Sequence, residues 1–326
     1  MLRIYFTSED VARTRVAMMP DPMWEMVLSL QMLRRQRGDL LFGPWRRRTI
    51  TALRGAGLTA RLRTLLRLTP IFGYFPDFLT PGVPGGLAGG LEAIRSTPAE
   101  LLGRDLRQLS VREELPSSTR LLADGDVAAL VRLTDTMAEY FGVAITPYQP
   151  QIDAAVDHDR AIRTQALVSS GVEGMLGSFG PRMEWTAGEL RVPGHRDQEL
   201  YLGGRGLVLV PSYFCLVNPI TLFDPLLPPV LVYPVEGMTS GLIGPEVQRD
   251  PALGQLLGQT RAAMLAAIGA GCTTSDLARR TGVSAASASE HATVLRRAGL
   301  VSSHRSGNRM VHHLTRLGWS LLNHTG

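Results

Sequence analysis

Two stretches of the 326-residue sequence hold residues whose types and spacing could do chemistry. The first is Asp157-His158-Asp159, two carboxylates flanking an imidazole, which is the material of a metal site or an acid–base pair. Adjacent helix positions do not face one another, so the triplet reads as a solvated helix face. The second stretch is longer. It offers hydroxyls at Thr274, Ser284, Ser287, Ser289 and Thr293, a carboxylate at Glu290, an imidazole at His291 and guanidinium groups at Arg297, Arg305 and Arg309. The small Ala285 and the amide of Asn308 fall among them. Hydroxyls and a carboxylate can bond base edges, and arginines can pair with phosphates, so these twelve residues form a candidate surface for double-stranded DNA. None in the N-terminal half of the second helix is an Arg or Gln able to make bidentate base contacts. Discrimination there would come from close approach, single contacts and DNA shape.

The elements that must position this set are legible. Thr273 or Thr274 caps a short helix, Asp276 complements its N-terminal dipole, and Gly282 suits the left-handed position that ends it. Only Val283 and Ser284 separate it from a second helix, which runs to about Ala298 and is stopped by Gly299. The apolar positions Ala288, Ala292, Leu295 and Ala298 recur at spacings of four and three, one buried face. Residues 301–305 and 309–315 then predict two strands joined by Ser306-Gly307-Asn308, with arginines on both sides of the tip. One further helix is expected in front, over 255–268. Helix, tight turn, helix and β-hairpin is the order of a winged helix-turn-helix.

Charge supports the same division. All 34 basic residues are Arg. Residues 256–326 carry 8 Arg against 2 acids, whereas residues 81–255 carry 13 against 21. The basic end has the electrostatic character of a domain that approaches phosphates. Two cysteines, Cys215 and Cys272, give no disulfide framework and favour a reducing cytoplasm. The sequence shows no long apolar window for a membrane helix and no clean apolar run for a signal peptide.

The expected fold class is α+β. Residues 1–235 predict an N-terminal regulatory or dimerisation domain, helical to about 180 with a small antiparallel sheet over 181–235. Residues 236–253 predict a linker, and 254–326 the winged helix-turn-helix. Trp24, Trp45, Tyr74 and Phe75, with Phe72 and Phe78, could line an apolar cavity for a small-molecule effector or simply form core. His195 falls in a Pro-Gly-His-Arg-Asp loop and reads as a surface residue. The Gly-rich stretches give neither a phosphate loop nor G-x-G-x-x-G, and no Ser sits in a G-x-S-x-G elbow. No catalytic residue, cofactor or metal is expected, and the chain reads as a non-enzyme. The alternative is a winged-helix protein whose N-terminal domain is a small-molecule-binding or catalytic module.

From Thr274-Ser-Asp-Leu-Ala through Val283-Ser-Ala-Ala-Ser-Ala-Ser-Glu-His to Val294-Leu-Arg-Arg-Ala-Gly-Leu-Val, and in the wing Arg305-Ser-Gly-Asn-Arg309 with Leu314-Thr, the sequence resembles the ArsR family of bacterial winged-helix transcription regulators. The match covers about residues 255–322. Ala12-Arg-Thr-Arg-Val, Pro22-Met-Trp-Glu-Met-Val, Gly73-Tyr-Phe-Pro-Asp-Phe-Leu and Leu202-Gly-Gly-Arg-Gly-Leu-Val-Leu-Val-Pro-Ser are similar to an actinobacterial ArsR-type subgroup with a large added N-terminal domain. The resemblance implies a homodimeric, sequence-specific regulator, a repressor on a pseudo-palindromic operator. It also implies what would be lost. The family's thiolate metal sensors place two Cys one residue apart before Asp-Leu, where this chain has Thr273 and Ser275 with Cys272 one place outside, so thiolate metal sensing is not expected.

Overall fold

A computed structural model describes residues 1–35, 39–111, 115, 118–216, 218–224, 226–236, 242, 251–268, 271–306 and 309–323. In chain order its elements begin β1 (Leu2–Tyr5), α1 (Ser8–Arg13), β2 (Arg15–Val16), α2 (Pro22–Arg34), α3 (Asp39–Gly55), α4 (Leu62–Leu68), α5 (Gly86–Arg95), α6 (Ala99–Ser110), α7 (Ser118–Ala123), α8 (Val127–Ala144) and α9 (Gln149–Gly177). There follow β3 (Glu184–Thr186), β4 (Glu189–Val192), β5 (Gln198–Tyr201), β6 (Val208–Ser212), β7 (Ile220–Thr221) and β8 (Val230–Pro234). The C-terminal elements are α10 (Pro251–Leu257), α11 (Gln259–Ile268), β9 (Cys272–Thr273), α12 (Thr274–Thr281), α13 (Ala285–Arg297), β10 (Val301–Ser306), β11 (Arg309–Leu314) and α14 (Arg316–Asn323). The fold is α+β, as its sequence patterns predict.

The chain divides into two compact units. One comprises Met1–Arg35, Leu53–Ile145 and Val156–Glu236; the other comprises Gln36–Ala52, Thr146–Ala155 and Gly237–Gly326. Most of the expected linker lies outside the described residues.

The first unit joins helices to two four-stranded sheets, ordered β3-β4-β1-β5 and β2-β6-β8-β7. Both sheets are mixed, and both take in an N-terminal strand. Leu2 lies opposite Val192 in an antiparallel pairing and opposite Gln198 in a parallel one. Arg15 pairs in parallel with Val208. The sequence predicts one helix from Ser8 to about Val16; it stops at Arg13 instead, which frees Arg15 and Val16 to pair. A capping box between Thr7 and Asp10 opens that helix. Asp10 is fully buried, and its carboxylate accepts the N–H of Gly206 at 2.8 Å, which holds the start of β6 against α1. Gly206 itself sits at φ 72°, and a Cβ there would lie 2.6 Å from Cβ of Arg13. Only glycine fits.

Helix α2 is buried from Met23 through Met32, so it runs through the interior and has no wet face of its own over that span. Its one carboxylate there, Glu25, accepts from the Ser212 hydroxyl (3.0 Å) and from the N–H groups of Tyr213 (2.7 Å) and Phe214 (3.1 Å). It thereby caps the C-terminal end of β6. Burial pushes the Glu25 pKa up to about 7, against the pull of those three donors. Trp24 is core, edge-on to Phe75 at 5.7 Å. Trp45, in the second unit, is fully buried and edge-on to Phe42 at 6.3 Å.

Asp157-His158-Asp159 does not form one solvated face. Asp157 is exposed and pairs with Arg160 at 2.8 Å. Asp159 is fully buried, accepting from Arg163 (2.9 Å), the Tyr233 hydroxyl (2.6 Å) and the N–H of Glu236 (3.0 Å). Its position one residue past an exposed His turns it inward, where it locks α9 to the end of β8.

Candidate nucleic-acid interface

In the second unit, one hydrophobic cluster links α10 to α14 through Leu253, Leu265, Leu277, Leu295 and Trp319. The expected single helix over 255–268 is two, α10 and α11, broken at Gly258 with φ 82°. On this base stands the helix pair. Thr273 caps α12, accepting the N–H of Asp276 at 3.2 Å and donating its hydroxyl to the same carboxylate at 2.7 Å. That bond and Arg279 hold the Asp276 pKa below its ordinary value. Gly282, at φ 68° and ψ 25°, ends α12 in the left-handed region, and its N–H donates to the carbonyl of Ala278. Ser284 then caps α13 by accepting the N–H of Ser287 at 3.1 Å.

Periodicity decides which face of α13 is offered. Ala288, Ala292 and Leu295 are buried to 2% exposure or less and anchor the helix along one stripe, whereas Ala298, expected on the same face, is the C-cap and is exposed. Ser284, Ala285, Ser289, Glu290 and Arg297 are exposed; Ser287, His291 and Thr293 are half-buried. The Thr293 hydroxyl is turned back onto the carbonyl of Ser289, to which it donates at 2.9 Å. The offered face is therefore low in relief at its start, with Glu290 as its acceptor and Arg296 and Arg297 exposed at its end.

The hairpin follows in a three-stranded sheet ordered β10-β11-β9. Val301 faces Leu314 at its base, Arg305 faces Met310, and Ser306 faces Arg309 at the last pair before the tip. Arg305 is exposed. Arg309 stands on β11, with its side chain outside the described set, and Asn308 lies outside the described residues. Thr274 is placed differently from the rest. It is half-buried, and its hydroxyl lies 2.9 Å from Nε2 of His312. Sequence reasoning passed over His312 as a structural residue, although strand parity puts it on the same face as the core residues Val301 and Leu314. His313, on the other face, stacks on His304 with ring centroids 5.1 Å apart.

Residues 257–304 match a family model described as a helix-turn-helix domain. This is a DNA-binding domain. Its match spans α11 through most of β10, so both helices described above fall inside it. A chain carrying such a domain is a DNA-binding regulator. No curated protein and no solved structure matches the chain. Among the described residues, no helix is long and apolar enough to cross a membrane.

Proposed function

We propose that the protein is an ArsR-type, sequence-specific transcriptional repressor, of the actinobacterial subgroup with a large N-terminal domain. It works in the cytoplasm as a homodimer on a pseudo-palindromic operator, by binding and not by catalysis. The observation that carries this is the exposed, low-relief face of α13 beside a hairpin with Arg305 near its tip. Helix α13 enters the major groove, where the small side chains of Ala285 and Ser289 let its backbone lie close to the base edges. The wing arginines meet phosphate or the minor groove. A two-fold dimer presents two such helices to half-sites about one helical turn apart.

Genome-wide recovery of DNA bound by the tagged protein tests this, followed by footprinting on the recovered fragments and light scattering of the protein alone. A shared inverted repeat protected by a dimer is the expected result. Recovery of fragments without a common sequence, or a monomer that protects a single unpaired site, would overturn it.

A further inference from the structure

The first unit contains a cavity of about 430 Å³, within the range of about 300–1,000 Å³ typical of sites for small organic ligands. Every residue that lines it belongs to that unit. Its floor is apolar and buried, formed by Leu28 and Met32 of α2, Phe75, Leu109, Phe214 and Pro219. The aromatic segment singled out in the sequence contributes Tyr74 and Phe75, while Trp24 and Trp45 are elsewhere in core.

The mouth has a different chemistry. Arg35 and Arg196 both line it, and each guanidinium lies over an aromatic ring, 4.7 Å from the centroid of Phe72 and 4.9 Å from that of Phe223. Both rings are exposed at the rim. A guanidinium is a fixed positive charge with a planar set of N–H donors, which suits a carboxylate. The plane of Arg196 is further fixed by its Nε donating to the Gln198 side-chain oxygen at 3.1 Å. Asp77 also lines the cavity, but its oxygens are engaged by the loop. They accept the N–H of Phe223 at 3.1 Å each and that of Asp224 at 2.8 Å. His195, read from sequence as a surface residue, is half-buried in the wall, its Nδ1 3.0 Å from the carbonyl oxygen of Arg196. An apolar floor beneath two guanidinium groups suits a molecule with an apolar body and an anionic end.

We propose that this cavity binds a compact organic carboxylate, with an aromatic or alicyclic body on the floor and the carboxylate at Arg196. That such a ligand would act as the effector rests on the regulator reading above; that it binds does not. The full chain is titrated with anthracene-9-carboxylate and with its uncharged counterpart 9-anthracenemethanol, by fluorescence and calorimetry. One carboxylate per chain should bind, more tightly than the alcohol. Arg196→Gln, at an exposed position, should weaken the carboxylate about tenfold and leave the alcohol within about twofold. Ile71→Trp, at a half-buried lining position, should abolish binding of both. Absence of saturable binding, equal weakening of both probes by Arg196→Gln, or binding untouched by Ile71→Trp would each overturn the proposal. The same samples are assayed on recovered operator fragments. Carboxylate binding without any DNA binding sinks the regulator reading and leaves the cavity standing; DNA binding without carboxylate binding does the reverse.

Discussion

Thr274, in the first turn of α12, and His312, on wing strand β11, share a hydrogen bond of 2.9 Å between Oγ1 and Nε2. The other ring nitrogen lies 2.8 Å from the Ser303 hydroxyl on β10. One imidazole therefore ties both wing strands to the start of the helix pair. Burial, and after it the nearby Arg296 guanidinium, lower the pKa of His312 from 6.5. The folded state then takes up this proton less readily than the unfolded chain. The contribution is fully present above about pH 6.5 and is lost as pH falls from there toward the depressed folded value. Thermal melts of the protein between pH 7.5 and 5.5 should show a falling midpoint that His312→Gln flattens. Parallel losses in wild type and variant would remove His312 from the explanation.

The two kinds of DNA contact can be separated. Arg305→Ala should weaken operator and scrambled duplex alike and reduce the log–log salt slope by roughly one unit. Ser289→Leu places a bulky group on the exposed face of α13, so it should remove operator preference and spare non-specific binding. Titrations of both variants at several salt concentrations decide this. A changed base preference in the wing variant, with operator affinity intact in Ser289→Leu, would mean that the docking is assigned the wrong way round.

Glu25 gives a stability test in the first unit. Glu25→Ala leaves the Ser212 hydroxyl and the N–H groups of Tyr213 and Phe214 without their buried acceptor. Each such group costs about 1–3 kcal/mol when left unmade, so urea denaturation should show a loss of at least about 2 kcal/mol. Because burial raises the Glu25 pKa to about 7, the folded state binds this proton more tightly than the unfolded chain does. Stability from this group should be greatest below about pH 4.5 and should decline as pH rises to about 7. A flat difference between wild type and Glu25→Gln across that window would show that the three donors fully offset burial.

The hydrophobic cluster from Leu253 to Leu322 predicts that a fragment of residues 251–326 folds cooperatively by itself. Residues 36–52 and 146–155 group with the same unit, so the fragment should be less stable than the unit within the full chain. Circular dichroism melts of the fragment provide the check. A fragment without a cooperative transition would mean that those two segments complete its core.

What was legible in the sequence was local. The caps at Thr273 and Ser284, the glycine at 282 and the hairpin of 301–314 depend on neighbours a few residues away, and the structure has them where the residue types require. The stop at Gly258 was missed because a single glycine interrupts a pattern that is otherwise helical on both sides. The small antiparallel sheet expected over 181–235 is instead two mixed sheets that take in N-terminal strands, and this was missed for a different reason. Nothing near Leu2 or Arg15 announces partners close to residue 200. The cavity was only half seen. Aromatic content pointed to Tyr74 and Phe75, but it could not tell a lining ring from the core rings Trp24 and Trp45. Arg35, His195 and Arg196 come from segments far apart in the chain, so no spacing rule could gather them.

Those distant pairings also set a schedule. On a ribosome, β1 and β2 emerge well before their partners, so Leu2 must wait for Val192 and Arg15 for Val208 before either strand has a neighbour. At about 5–20 residues per second that interval is roughly ten to forty seconds. Two strands with bare edges persist for that time, and the entropy of closing such long loops slows their capture afterwards. The helix-turn-helix unit, whose sheet pairs residues within about forty positions of one another, has no such delay. Its hairpin closes as soon as its second strand is available. The helix-turn-helix unit is therefore equipped to fold faster than the sheets that take in β1 and β2.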